Sequence, residues 1–81
     1  MAVKDDLVAS GLSEAQAVAV AAVDAGTGTA DDLVIAGFTG VQATEIAAKE
    51  AGTGSDDALV RSGLWAGTQV PAIDAALAVV D

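Results

Sequence analysis

The chain has 81 residues and a mass of 7.8 kDa, enough for one small domain. Twelve acidic residues against three basic ones give a net charge of −9, which opposes binding to phosphate backbones or anionic lipid surfaces. With no His and no Cys, the chain has no zinc finger, thiol nucleophile, haem ligand or Ser-His-Asp triad.

The hydrophobic class makes up 53% of the residues, but 20 of them are Ala, which buries little area. A chain this short hides only about 60–65% of its unfolded surface and gains from burial against a partner or another copy. The longest uncharged run, Gly63 to Ile73, is too short to span a bilayer. The N-terminus lacks the apolar core of a signal peptide.

The chain repeats itself at an offset of 26. Residues 5–28 (DDLVASGLSEAQAVAVAAVDAGTG) and 31–54 (DDLVIAGFTGVQATEIAAKEAGTG) agree at 13 of 24 positions. A third copy keeps Asp57, Leu59, Val60 and Gly63 in register, then shifts by one residue at Trp65, so that Gln69 and Ile73 follow Gln42 and Ile46 at 27. The expected architecture is all-α: one domain over 1–81, built of repeats 3–28, 29–54 and 55–81, each a helix-turn-helix. The six short helices form one compact stack.

In chain order, the first helix of each repeat is expected at Lys4–Ser10, Ala30–Ala36 and Asp56–Ser62. Thr29 and Ser55 are N-caps, and the Asp pairs that follow sit where the helix dipole favours negative charge. Gly11, Gly37 and Gly63 end these helices, and the apolar residues after them, Leu12, Phe38 and Leu64, take the position that often packs back on the helix. The second helices are expected at Glu14–Ala25, Gly40–Ala51 and Gln69–Val80. Ser13–Gln16 and Thr39–Gln42 match the capping box, and Thr68 is the candidate cap of the third, with Pro71 in its first turn. Val18, Ala21, Ala22 and Ala25 share one face, as do Ile73, Ala76, Leu77 and Val80. The stacking residues are expected to be Leu7, Val8, Leu33, Val34, Leu59, Val60, Val20, Ile46 and Ile73.

The tempting sites have plain explanations. Asp5-Asp6, Asp31-Asp32 and Asp56-Asp57 lack the alternating ligand spacing of a calcium loop, and their place at helix starts accounts for them. The Gly-Thr-Gly links have neither the strand nor the Lys of a phosphate loop. The second helices carry only Lys49 as a base, so they do not read as DNA-recognition helices. No catalytic residue, metal ligand or cofactor site is expected. Trp65, the only Trp, stands where the period breaks, with Arg61 four residues before it. It either seals the open end of its own stack or anchors a protein interface, a role in which Trp and Arg are enriched. Phe38, Leu12 and Leu64 occupy related turns and are candidates for the same surface.

Copies of L-V-x-x-G-[LF] followed by x-x-x-Q-A, joined by A-G-T-G and ending in L-V-R-S-G-L-W-A-G-T-Q, resemble repeats of small virion proteins of tailed bacteriophages. The resemblance rests on Leu7-Val8, Leu33-Val34, Leu59-Val60, the three glycines after the first helices, and Gln16, Gln42 and Gln69. The third repeat departs from it at Ala58 and Trp65. It implies a non-enzymatic structural role in the virion: a capsid decoration or cement protein, a head fibre, or a neck or tail part. The expected partner is a major capsid or other virion protein, or further copies of the chain, with no nucleic acid and no membrane. The other expectation from the residues is an acidic adaptor or DNA-mimic regulator of a host or phage protein. High acidity also fits a halophilic source.

Overall fold

The computed structural model describes residues 3–77, and among these every regular element is helical. The six helices are α1 (Val3–Ala9), α2 (Glu14–Asp24), α3 (Ala30–Ala36), α4 (Gly40–Glu50), α5 (Asp56–Arg61) and α6 (Gln69–Leu77). Val80, expected on the last helix, lies outside the described residues.

The local chemistry explains the boundaries. Ser13 and Thr39 each accept from the backbone N–H three residues on, while Gln16 and Gln42 reach back to the cap N–H, so both capping boxes are closed. Thr29 caps α3 in the same way, with the Asp32 carboxylate in the place of the glutamine. Ser55 caps α5 through the Ala58 N–H, and Ala58 has no side-chain acceptor to return the bond. At the far ends of α2 and α4, Thr27 and Thr53 donate their N–H to Ala22 and Ala48, and Gly26 and Gly52 bond to Val23 and Lys49. This is the paired bonding of a Schellman stop. A Cβ on Gly54 would stand 2.7 Å from the Lys49 backbone nitrogen, so the link between hairpins lies directly on the helix it has left.

The three hairpins close on each other instead of forming a linear stack with two ends. The long helices α2, α4 and α6 all touch one another. Each short helix lies between its own long helix and that of another hairpin: α3 also packs on α2, α5 on α4 and α1 on α6. The short helices do not touch each other. The result is nearly isotropic, 28 × 26 × 25 Å.

One contact recurs at all three junctions. The Gln16 amide nitrogen lies 3.3 Å from where a Cβ on Gly37 would stand, Gln42 lies 3.2 Å from that of Gly63, and Gln69 lies 3.3 Å from that of Gly11. All three glycines have φ between 108° and 118°, so the position rejects a side chain both by conformation and by crowding. The third junction joins the end of the chain to its beginning, and there the Thr68 hydroxyl donates to the Ser10 carbonyl at 3.0 Å. Thr68 is therefore a bridge between hairpins, and the hydroxyl expected to cap α6 is directed elsewhere.

The core is made of the residues the closed arrangement turns inward. Leu7, Leu33, Leu59, Val20, Ile46 and Ile73 are the large side chains that are completely buried. The Val partners of the Leu-Val pairs differ from expectation: Val8, Val34 and Val60 are exposed. Consecutive helical residues point about 100° apart, and a short outer helix has only one covered side. On α2 the inward residues are Ala17, Ala19, Val20 and Val23, whereas Val18, expected on the packing face, is exposed.

Two glycine substitutions separate backbone demand from helix propensity. Gly37→Ala should cost about 1–3 kcal/mol, because its φ and the nearby amide both oppose a methyl group. Gly40→Ala, in the first turn of α4 with open space around it, should be neutral or stabilise by up to about 1 kcal/mol. Urea denaturation of both variants checks the contrast.

Candidate protein-interaction site

The third hairpin departs from the others at one step. After Leu12 and Phe38 come the capping hydroxyls of Ser13 and Thr39; after Leu64 comes Trp65. The Trp65 N–H is held by the Gln69 side-chain oxygen at 2.9 Å, as the Ser13 and Thr39 N–H groups are held by Gln16 and Gln42. The extra residue of this repeat is taken up behind it, where the Trp65 carbonyl accepts from the N–H groups of both Gln69 and Val70 at 3.0 Å. Trp65 thus follows the buried leucine where Ser13 and Thr39 follow theirs, four residues before α6 begins, and it has no side-chain oxygen to offer. Trp65 is 70% exposed, and its indole lies near Gly67. It seals nothing, because the closed arrangement of hairpins has no open end.

Of the five candidate interface residues, Arg61 and Trp65 are on the surface. Leu12, Phe38 and Leu64 are buried in the core. The N–H of each reaches back to Leu7, Leu33 or Leu59, and that turn folds the side chain onto the helix just left. These three hold the hairpins together and are not available to a partner. Arg61, at the end of α5, makes no ion pair among the described residues, whereas Lys4 pairs with Glu14 and Lys49 with Asp56 and Asp74.

The glutamine–glycine contacts have a consequence for the surface. Each joins the turn of one hairpin to the turn of another, so the α1–α2, α3–α4 and α5–α6 turns gather at one end of the molecule. The exposed large apolar residues concentrate beside these turns: Val8, Val34, Ile35 (82% exposed), Val41, Val60 and Trp65. Val18, in the middle of α2, is the exception. The sequence reading missed Ile35 and Val41; their signal is that hairpin one has Ala9 and Ala15 at the same repeat positions. Most carboxylates lie at the other end, where the short helices start and the long ones finish: Asp5, Asp6, Asp31, Asp32, Asp56 and Asp57 at the starts, Asp24 and Glu50 at the finishes.

One ionic cluster lies at a junction. Lys49 on α4 is 3.1 Å from Asp56 on α5 and 3.6 Å from Asp74 on α6. The matching positions between hairpins one and two, Val23 and Ala30, pack in or against the core. Burial pushes the Asp74 carboxyl up to about 6, and hydrogen bonding to Asp56 with repulsion from its charge adds to this, against the pull of Lys49. Asp56 is held below its ordinary value by its hydrogen bond with Asp74 and then by that with Lys49.

Among the described residues no helix is long and apolar enough to cross a membrane. Among them, too, no group of three or more carboxylates is placed to hold a metal ion. Compared with family models, curated proteins and solved structures, the chain matches none.

The shifts at the cluster set a pH dependence. Asp74 binds its proton more tightly folded than unfolded, so its favourable contribution is complete below about 3.8 and is lost as pH rises through about 6. Asp56 works in the opposite sense, and its contribution is lost as pH falls below its ordinary value. The melting temperature should therefore rise between pH 7 and pH 5 and fall in stronger acid. Asp74→Asn should raise stability at pH 7 by up to about 1 kcal/mol, allowing for screening by water, and flatten the upper limb. Thermal melts of both proteins from pH 3 to 8 check this.

Proposed function

We propose that the chain is a non-enzymatic structural protein of a bacteriophage virion, a small component that binds a larger protein lattice or its own copies. One observation supports an assembly role above the others: Trp65. Hairpin three carries a large aromatic side chain in water where the other two carry a small hydroxyl, and this adds nothing to the core. Exposed clusters of large apolar side chains mark interaction surfaces, and Trp and Arg are the residues that most often dominate binding energy at them. The thin Ala-rich core supports the same reading, because binding that is specific for the folded state adds to its stability. The virion setting rests on the Leu-Val, Gly and Gln pattern described above.

The carboxylate-rich end supports a second reading, an acidic adaptor or DNA mimic that presents this end to a basic protein. Mass spectrometry of purified particles separates the two, since a virion component is present in stoichiometric amounts and a regulator is not.

Trp65→Ala should leave the isolated chain folded, with stability within about 0.5 kcal/mol, because the backbone N–H at this position is held by Gln69. Its binding to empty capsids or tails should weaken by about 2 kcal/mol or more. Circular dichroism and co-sedimentation measure the two effects. Undiminished binding by the variant would remove Trp65 from the interface.

A further inference from the structure

The end of the molecule where the three turns meet is a face with its own composition. Trp65, Ile35 and Val41 are exposed in or beside its turns, as are Val8, Val34 and Val60 on the short helices that lead into them. The turns and the first residue of the helix after each contain a single charged residue, Glu14, and α5 delivers Arg61 to the same end. Glu14 is 74% exposed and pairs among the described residues with Lys4, itself 45% exposed, an ion pair of small value in water. Arg61 and Glu14 are of opposite sign and belong to different hairpins, three and one.

A surface that pairs with itself across a two-fold axis must present both halves of each contact. This one has what such pairing needs: apolar side chains to set against apolar side chains, and an Arg61 and a Glu14 to set against each other between copies. The charge distribution also permits it. A chain of net charge −9 repels its own copies, yet eight of its twelve carboxylates lie at the opposite end, so apposing the turn faces keeps most of the negative charge apart. A disc across the two shorter dimensions, 26 × 25 Å, covers about 500 Å² per copy, and the pair would bury about 1,000 Å², the lower bound for a specific interface.

We propose that the chain forms a two-fold dimer through this turn face, with Trp65 buried in it and Arg61–Glu14 pairs between the copies. The proposal rests on the reading of Trp65 as an interface anchor and names a second copy as what covers it.

Sedimentation equilibrium of the purified chain tests it, together with the emission of the single Trp, which should shift to shorter wavelength on concentration as the indole leaves water. The expected result is a monomer–dimer equilibrium in the micromolar-to-millimolar range, weakened about tenfold or more by Trp65→Ala. Arg61→Glu should also weaken it, and adding Glu14→Arg to the same chain should restore it, while circular dichroism shows each variant folded. A chain that stays monomeric to millimolar concentration, or a dimer indifferent to Trp65→Ala or to the charge swap, overturns the proposal. A monomer that still co-sediments with capsids overturns the dimer and leaves the virion reading standing; a dimer that binds no particle does the reverse.

Discussion

The fold depends on one small contact made three times. A glutamine in the first turn of each long helix accepts a backbone N–H of the preceding turn or cap with its side-chain oxygen, and sets its amide nitrogen against the glycine that ends a short helix of another hairpin. The same side chain therefore fixes where one helix begins and where another must stop. No hairpin of about 26 residues can bury its apolar side alone, and the glutamines determine how the three meet. Because Gln69 meets Gly11, the series returns to its start and the chain closes.

Closure settles how the core is shared. In an open array the end units would need polar outer faces, as terminal repeats usually do. Here each hairpin covers another and is itself covered, so the six fully buried large residues come evenly, with one leucine from each short helix and one β-branched residue from each long one. Alanine supplies the rest. Ala17, Ala43 and Ala76 on the long helices are almost wholly buried, and their small side chains let the helices approach closely. The interior is tightly assembled but carries little apolar area, so local terms matter more than usual. Capping boxes worth about 1 kcal/mol apiece are a large share of the few kcal/mol by which such a domain is stable.

Helix positions were legible in the sequence because their signals are local. Ser13, Thr29, Thr39 and Ser55 start helices by side-chain chemistry that acts within three residues, and the glycines stop them by backbone conformation. Burial was less legible. In Leu7-Val8 the two residues are equally apolar, and only the three-dimensional arrangement decides that a short outer helix covers the first and exposes the second. The pattern puts Leu12, Phe38 and Leu64 in turns but does not say which way they face, and their side chains turn inward with the backbone. Closure was hidden by the one-residue shift at Trp65, which suggests a divergent terminal unit. The shift is absorbed in the turn, and Gln69 keeps the task of Gln16 and Gln42. Recurrence of a polar residue through an Ala-rich repeat was the available sign, since a glutamine on a helix surface has no need to recur unless its amide meets something fixed.

The negative charge takes on a different meaning once the turns are known to share one end. Placing aspartates at helix starts is a capping and dipole device, and each pair can be explained without regard to the others. Because every short helix starts at the same end of the molecule, those local choices add up to a global polarity. Asp24 and Glu50 extend it from the long helices, where a carboxylate near a helix C-terminus faces an unfavourable dipole and has no local justification. The opposite end is left nearly free of carboxylates and collects the exposed aliphatic residues and the lone Trp. Charge and apolar surface are thus segregated by the same topology that closes the core. A molecule of this size and charge would otherwise repel every acidic neighbour, its own copies included; segregation gives it one end at which close approach carries little electrostatic cost.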